Sequence, residues 1–571
     1  MSLSSVNRTL QLISRLLDAD TPTEPLAEFG VQKPELPRKK SSQPLTPCRP
    51  EQQGVSSRLL SDFLLALRDS PTLRMHNVMV VRNGRVLCQA SFGAQKPELP
   101  RMTFSACKSI TALAVGLLMD DGVLHPDDKL TELFDEDFGP VSRRLMKDLT
   151  VAHLLSMQTG NLFNEGGSMT TTQWTESFCS SPGLELGRKF QYNSLNSYML
   201  AVLVTRLTGK SLTDFLSKRL FAPMGIADFY WEKSPEGVEK GGWGLYMRPE
   251  DLAKLGQLVM DGGKWAGKQL LSSEFLETAL SAHAQTPESC GRFNYGWHFW
   301  VGRDTNTFLF NGMLGQNVLG FRDSGILVIS HGGNDETFQT SDYFPLVMDA
   351  FGGDFPPQLP RDPAGERSLR QTIRTLSPQR EYLPTWKQFS QFSGKRFITD
   401  APEANSMGLL PLVLQAMENC YTKGFCALSI GGSRTAPELL YEERGELHHL
   451  TCGISAPHYQ TLSFDGNVFR VAVQGRFACN EDGHPVMRVQ IDFLETPCTR
   501  ILKLILTPQG VLLRQEELPG ADFVYSILST QLQSSGAKAL LTALLGSGDP
   551  SYVRWRVQKL LTPSVPMKPE A

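Results

Sequence analysis

Ser105-Ala106-Cys107-Lys108 places a hydroxyl and an amine one helical turn apart at the head of an apolar run. Residues i and i+3 share a helix face, so an ammonium at 108 can reach the oxygen at 105. A serine hydroxyl is a weak nucleophile until a neighbouring base takes its proton. A lysine can serve as that base once burial or a helix N-terminus lowers its pKa. The run Ser109 to Met119 is apolar nearly all round, which predicts a buried helix ending near Gly122. The spacing alone is common: it recurs at Ser535-Gly536-Ala537-Lys538, in a stretch that reads as a surface turn. Its companions carry the argument.

Tyr192-Asn193-Ser194 follows the turn signals Pro182-Gly183 and Gly187 and precedes a second apolar helical run, Tyr198 to Val204. A tyrosine beside a cationic lysine is expected to have a lowered pKa and to act as base or proton shuttle for the serine. Asn193 and Ser194 are expected to bind a substrate amide or to orient Lys108. A third element must border the acyl group and lend a backbone N–H to an oxyanion. His331-Gly332-Gly333 competes for this place, but it ends the strand Ser324 to Ser330, one strand too late. Phe308 to Gln316 lies a strand earlier and its glycines permit close backbone approach. Gly312 to Gln316 is therefore the expected third element, and His331 a strand-end residue. Tyr295, Trp297, Phe299 and Trp300 precede it and are candidates to wall an acyl pocket.

Together these pieces resemble the serine hydrolases related to class C β-lactamases and penicillin-binding proteins. The family's S-x-x-K matches Ser105 and Lys108; its Y-x-N matches Tyr192, with Ser194 where asparagine is usual. Leu149 to Gly160 resembles the family's "LTIRHLLTMTSG", and Gly241 to Leu245 with Asp251 to Gly256 is similar to "GGxGL…DLAKFG". The resemblance implies an α+β fold of the β-lactamase/transpeptidase kind, an antiparallel sheet flanked by helices plus a helical lobe, with the site between them. It implies catalytic Ser105, Lys108 and Tyr192, an oxyanion hole from the backbone N–H groups of Ser105 and Gln316, and substrate contacts from Asn193, Ser194, Trp297, Met313 and Gly315. Glu165 is a competing base in the manner of class A enzymes.

One departure bears on substrate. Met313-Leu314-Gly315 stands where Lys-Thr-Gly or His-Thr-Gly is usual, so the cation expected to hold a substrate carboxylate is missing. That points away from penicillins and peptidoglycan stems and toward an ester or amide without an adjacent carboxylate. Two alternatives stand beside this reading. One is a weak or inactive hydrolase scaffold acting as a binding protein; the other is a β-lactamase or D-aminopeptidase.

The chain of 571 residues is too long for one domain. A net charge of −3 gives no electrostatic footprint for nucleic acid or an acidic membrane. Met1 to Arg8 leads into an amphipathic stretch with no apolar core of a signal peptide, and no run is long enough to span a bilayer, so a cytoplasmic enzyme with a small-molecule substrate is expected. The ten cysteines are scattered without C-x-x-C pairing and read as reduced thiols, Cys107 among them in a packing role. His448-His449 lacks further ligands at zinc-like spacing; neither metal nor cofactor is expected. Oligomeric state is not fixed by the sequence. The expected organisation is an N-terminal helix and linker (1–50), the hydrolase domain (51–352), a proline-rich linker (353–390), a β-rich barrel or sandwich (391–530) and a helical tail (531–571). The β-rich part resembles the lipocalin-like accessory domains fused to some family members.

Overall fold

Met75–Arg82 is buried at nearly every position, and such a strand must be covered on both faces. The computed structural model supplies both covers. It describes residues 15, 24–25, 27, 32–36, 41–183, 185–377, 386–400, 405–531 and 549–570. The chain divides into two units, one built on Leu36–Ser377, the other on Gln32–Glu35 with Pro378–Ala571.

The sheet of the first unit contains β1 (Thr46–Pro47), β2 (Met75–Arg82), β3 (Arg85–Ser91), β4 (Phe293–Tyr295), β5 (Trp300–Gly302), β6 (Thr307–Gly312), β7 (Gln316–Phe321) and β8 (Ile326–Gly332). Their order is β1-β3-β2-β8-β7-β6-β5-β4, antiparallel except where β1 joins β3. The β2–β3 turn has Asn83 at φ 50° and Gly84 at φ 72°, the two left-handed positions that an Asn-Gly hairpin turn supplies. The helices that matter to the sheet are α1 (Ser57–Asp69), α2 (Cys107–Asp120), α3 (Leu195–Thr208), α4 (Pro249–Met260), α5 (Tyr343–Phe351) and α6 (Pro363–Leu376). Val78, Val80, Leu309, Leu319 and Val328 join a core with α1, α5 and α6. Their neighbours Met79, Val81, Phe308, Phe310, Val318 and Ile329 join another with α2, α3 and α4. Period-two alternation thus serves two hydrophobic covers at once.

Within the segment expected as a linker, 353–390, α6 is a built helix. Asp362 caps it through the N–H groups of Ala364 and Gly365, and Pro363 sits in the first turn, where its missing N–H costs nothing. It lies on α1, with Ser61 Oγ 2.6 Å from Thr372 Oγ1.

The second unit is a ten-stranded near-barrel: β9 (Lys395–Ile398), β10 (Phe425–Gly432), β11 (Pro437–Glu443), β12 (Glu446–Thr451), β13 (His458–Phe464), β14 (Asn467–Cys479), β15 (Pro485–Phe493), β16 (Thr499–Thr507), β17 (Gly510–Leu518) and β18 (Ser564–Pro569). The order is β12-β11-β10-β9-β18-β17-β16-β15-β14-β13. Gln460 draws the two end strands together, donating to His449 O at 2.6 Å and accepting from Thr451 N–H at 2.9 Å. The tail expected as helical supplies α7 (Pro550–Leu561) and then β18, which enters the sheet between β9 and β17. The prolines of Ser-Val-Pro-Met-Lys-Pro hide that strand in the sequence, yet Pro566 and Pro569 point outward while Val565 and Met567 are buried. The expected N-terminal helix, apart from Arg15, and residues 532–548 lie outside the described residues.

Lys33, in the N-terminal segment expected as helix and linker, is a buried anchor of this second unit. Its Nζ lies 2.6 Å from Glu495 Oε2 and 2.6 Å from Val468 O. Glu495 also receives Arg470 at 3.0 Å. Removing a carboxylate that two buried cations share is costly. Glu495→Ala is expected to destabilise the second unit by about 3–5 kcal/mol, read as faster hydrogen exchange in β14 and β15 with β2 and β8 unchanged.

Candidate active site

The residue before the serine sets the geometry. Phe104 is held at φ 46°, a left-handed conformation that is costly for a bulky side chain. A tight turn, Phe104–Ala106, then leads into α2. Ser105 emerges half-buried at this corner, while Lys108, one turn on, is buried.

Lys108 Nζ donates to Ser105 Oγ at 2.9 Å, to Ser194 Oγ at 2.9 Å and to the Gly242 carbonyl at 2.6 Å. Three acceptors match the three N–H bonds of an ammonium. When the amine loses a proton, two N–H bonds can remain on Ser194 and Gly242, leaving the lone pair facing Ser105. Burial lowers Lys108 from 10.5 to about 8, opposed by the fields of Cys107 and Glu165. An amine titrating there is free to take a proton near neutral pH.

Tyr192 departs from expectation. Its ring lies beneath the lysine, with Nζ 4.9 Å from the centroid, and its hydroxyl interacts with Ser105. Burial nevertheless drives the phenol well above its ordinary value, with Glu165 adding to the rise and the Ser105 hydrogen bond opposing it. The lysine does not lower it. Tyr192 therefore stays protonated and keeps a proton to donate, while Lys108 is the neighbour whose amine is poised to lose one.

Ser194 holds Lys108, as one of the two expected roles had it. The Asn193 amide is turned into the protein: its Nδ2 donates to Asn161 O and Phe163 O, and its Oδ1 accepts from Leu195 N–H. It pins the preceding loop. Trp297 is likewise corrected. It stacks on His283 at 5.0 Å and packs on Phe275, whereas the aromatic wall at Tyr192 is made by Tyr295, Trp300 and Phe338. Glu165 accepts the Ser194 N–H at 2.8 Å. His331 lies in β8 opposite Asn77, where burial and Arg101 keep its imidazole neutral.

The third element reaches the nucleophile through backbone. A Cβ on Gly312 would lie 2.3 Å from Thr103 O and 3.2 Å from Ala106 N, so only glycine lets β6 meet the turn that carries Ser105. Gln316 pairs with Gly312 across the ladder, and its side chain is tied to Leu314 O and Gly332 O. Met313 is half-buried in the intervening turn, and Gly315, at φ 87°, backs onto Asn334.

Sequence reasoning missed two participants. The Gly242 carbonyl is one; a backbone acceptor leaves no signature in residue type. His298 is the other, a buried tie that accepts from Ser109 Oγ through its own carbonyl and bonds Ser197 Oγ and Leu155 O through its ring. Among the described residues no cluster of three or more His, Cys, Asp or Glu could hold a metal, and no helix is long and apolar enough to cross a membrane.

Residues 72–339 match the family model described as Beta-lactamase. A 6-aminohexanoate-dimer hydrolase of Paenarthrobacter ureafaciens is 26% identical over 275 residues, which cover 42% of this chain and 68% of that protein. Among solved structures, EstCE1, a hydrolase with promiscuous acyltransferase activity, aligns at 16% identity and TM-score 0.44, over 52% of this chain and 99% of that one. An octameric penicillin-binding protein homologue from Pyrococcus abyssi aligns at 15% identity and TM-score 0.41, over 76% and 97%.

Gly312→Ala is expected to push β6 off the Ser105 turn. The backbone N–H groups expected to receive the oxyanion would then be misplaced, and acylation of Ser105 should slow about a hundredfold or more. Stopped-flow acylation with a nitrophenyl ester, alongside circular dichroism to confirm the fold, checks this.

Proposed function

We propose that this protein is a serine hydrolase that cleaves an ester or amide through an acyl-enzyme on Ser105. The observation that carries the reading is the buried Lys108 amine bonded to Ser105 Oγ and steadied by two further oxygens. A serine with no chemical task has no need of a depressed lysine beside it.

In the proposed reaction, neutral Lys108 takes the Ser105 proton as Oγ attacks the carbonyl carbon. The resulting oxyanion is received by the backbone N–H groups of Ser105 and Gln316. Tyr192, kept as a phenol, donates its proton to the departing alcohol or amine and is reprotonated at the expense of the Lys108 ammonium. The carbonyl reforms and the leaving group departs. Water, giving up a proton to the same amine, then attacks the ester of Ser105, and the ammonium returns that proton to Oγ as the C–Oγ bond breaks and the acid is released.

Substrate class follows from what faces the serine. Met313 supplies no cation, and the three N–H bonds of the Lys108 ammonium are already taken, so neither residue pairs with a substrate carboxylate. Tyr295, Trp300 and Phe338 offer an apolar wall beside Tyr192. A neutral acyl group on an ester or linear amide fits best, and the relative named for hydrolysing the 6-aminohexanoate dimer supports an amide as the scissile bond. We place this chemistry in the cytoplasm, on a small-molecule substrate.

The test is a panel of nitrophenyl esters, linear amides and β-lactams given to the wild type and to Ser105→Ala. Turnover of uncharged esters or amides at least tenfold better than of carboxylate-bearing β-lactams, lost in Ser105→Ala, is expected. Equal turnover by the variant, or none of any substrate by the wild type, contradicts the reading.

A further inference from the structure

The carbonyl that accepts from Lys108 belongs to a strap, Lys240 to Leu245, lying across the nucleophile turn. Leu245 O accepts from the Thr103 N–H and hydroxyl at 2.8 and 2.9 Å. Gly241 O accepts from Thr111 Oγ1 at 2.7 Å and Cys107 Sγ at 3.5 Å. Gly242 O accepts from Lys108. Four residues on the turn and first part of α2 thus bond to three carbonyls of one strap.

The strap's own position is fixed from two sides. Against α3 it runs so close that a Cβ on Gly241 would lie 2.5 Å from Ser197 O, and one on Gly242 would lie 2.7 Å from Ser194 O. On the other side it is clasped by Glu232, whose N–H donates to Gly244 O and whose carbonyl accepts from Lys240 N–H. The side chains close the loop: Lys240 Nζ is 2.5 Å from Glu232 Oε2, with both side chains buried. Lys240 also lies 5.7 Å above the ring of Trp243, which stacks on Trp174.

A buried ion pair adds little net stability over an apolar pair of the same shape. Its presence under this strap therefore calls for a positional explanation. We infer that the Lys240–Glu232 pair is a positioning device that holds the Gly242 carbonyl against the Lys108 amine and so sets the orientation and proton affinity of the proposed base. Neither residue touches Ser105 or a substrate; both act through the strap.

The direction of the effect follows from the bond. A carbonyl accepting from an ammonium favours the charged form, so a displaced Gly242 lowers the Lys108 pKa further. The titratable groups facing Lys108 are Cys107 on its own helix, Glu165 and Tyr192 from the helical lobe and His298 from the turn before β5. Cys107 is raised to about 12, Tyr192 is raised and His298 is lowered to about 3, so all three are neutral near pH 8. Glu165 is the carboxylate whose field acts on the amine, and the double variant below leaves it in place.

This inference rests on the hydrolase reading only for its effect on rate; the ionisation of Lys108 is readable whether or not the protein turns over. The experiment titrates the Lys108 side chain by NMR in full-length protein with ¹³C-labelled lysine, assigned through Lys108→Arg. It compares the wild type, Glu232→Gln/Lys240→Met, which removes both charges, and Lys240→Arg, which keeps the pair. The double variant is expected to titrate about one pH unit lower than wild type, and Lys240→Arg within a few tenths. If the double variant does not fold, Gly242→Ala displaces the same carbonyl with every charge retained and is expected to shift in the same direction. An unchanged Lys108 titration in a folded double variant, or in Gly242→Ala, overturns the inference. Fluorophosphonate labelling of Ser105 in the same samples reads the hydrolase proposal separately: a shift without labelling leaves the strap standing and the hydrolase reading fallen, and labelling without a shift does the reverse.

Discussion

The first unit is organised around one desolvated amine. Lys108 lies inside the unit, and its charge is tolerable there only because three oxygens from three different segments converge on it. Ser105 comes from the turn before α2, Ser194 from the start of α3 and Gly242 from the strap. Each of those segments is then constrained in turn. The strained Phe104 fixes the serine, the Ser194 N–H is held by Glu165, and the two glycines of the strap let it lie against α3. The same lack of water that makes the charge costly brings the lysine close to neutral pH, which is the property a base needs.

The partition between amine and phenol is a consequence of burial acting with opposite sign on opposite charges. Desolvation penalises whichever form is charged, so it pushes the lysine toward deprotonation and the tyrosine toward staying protonated. The proposed base and acid are thereby separated along one stack, with the amine over the face of the ring. A neighbouring positive charge was the expected influence on Tyr192, but with the lysine itself drawn toward neutrality the burial of the phenol prevails.

Much of this was legible in the sequence where the signal was carried by side-chain type at fixed spacing. The Ser105–Lys108 pair and Ser194 on the lysine fall in that class. What was not legible depended on direction or on backbone. Asn193 and Trp297 have the right chemistry to touch a substrate, but one turns back to its own loop and the other packs against Phe275 and His283. The sequence brackets the aromatic wall without saying that Trp300, rather than Trp297, belongs to it. Gly242 contributes a carbonyl that any residue type possesses. β18 and α6 were obscured by prolines, which composition reads as breaks although a strand position paired on one side alone and the first turn of a helix both accept them.

The central claim is that a single amine, half-deprotonated near pH 8, governs the reactivity of Ser105. It is tested most directly by the pH dependence of the rate at which a fluorophosphonate forms its adduct, with the modified peptide located by mass spectrometry. The account requires the adduct on Ser105, a rate climbing with pH to a plateau with its midpoint near 8, and the disappearance of that rise in Lys108→Met. A pH-independent rate, or an adduct on another residue, contradicts it.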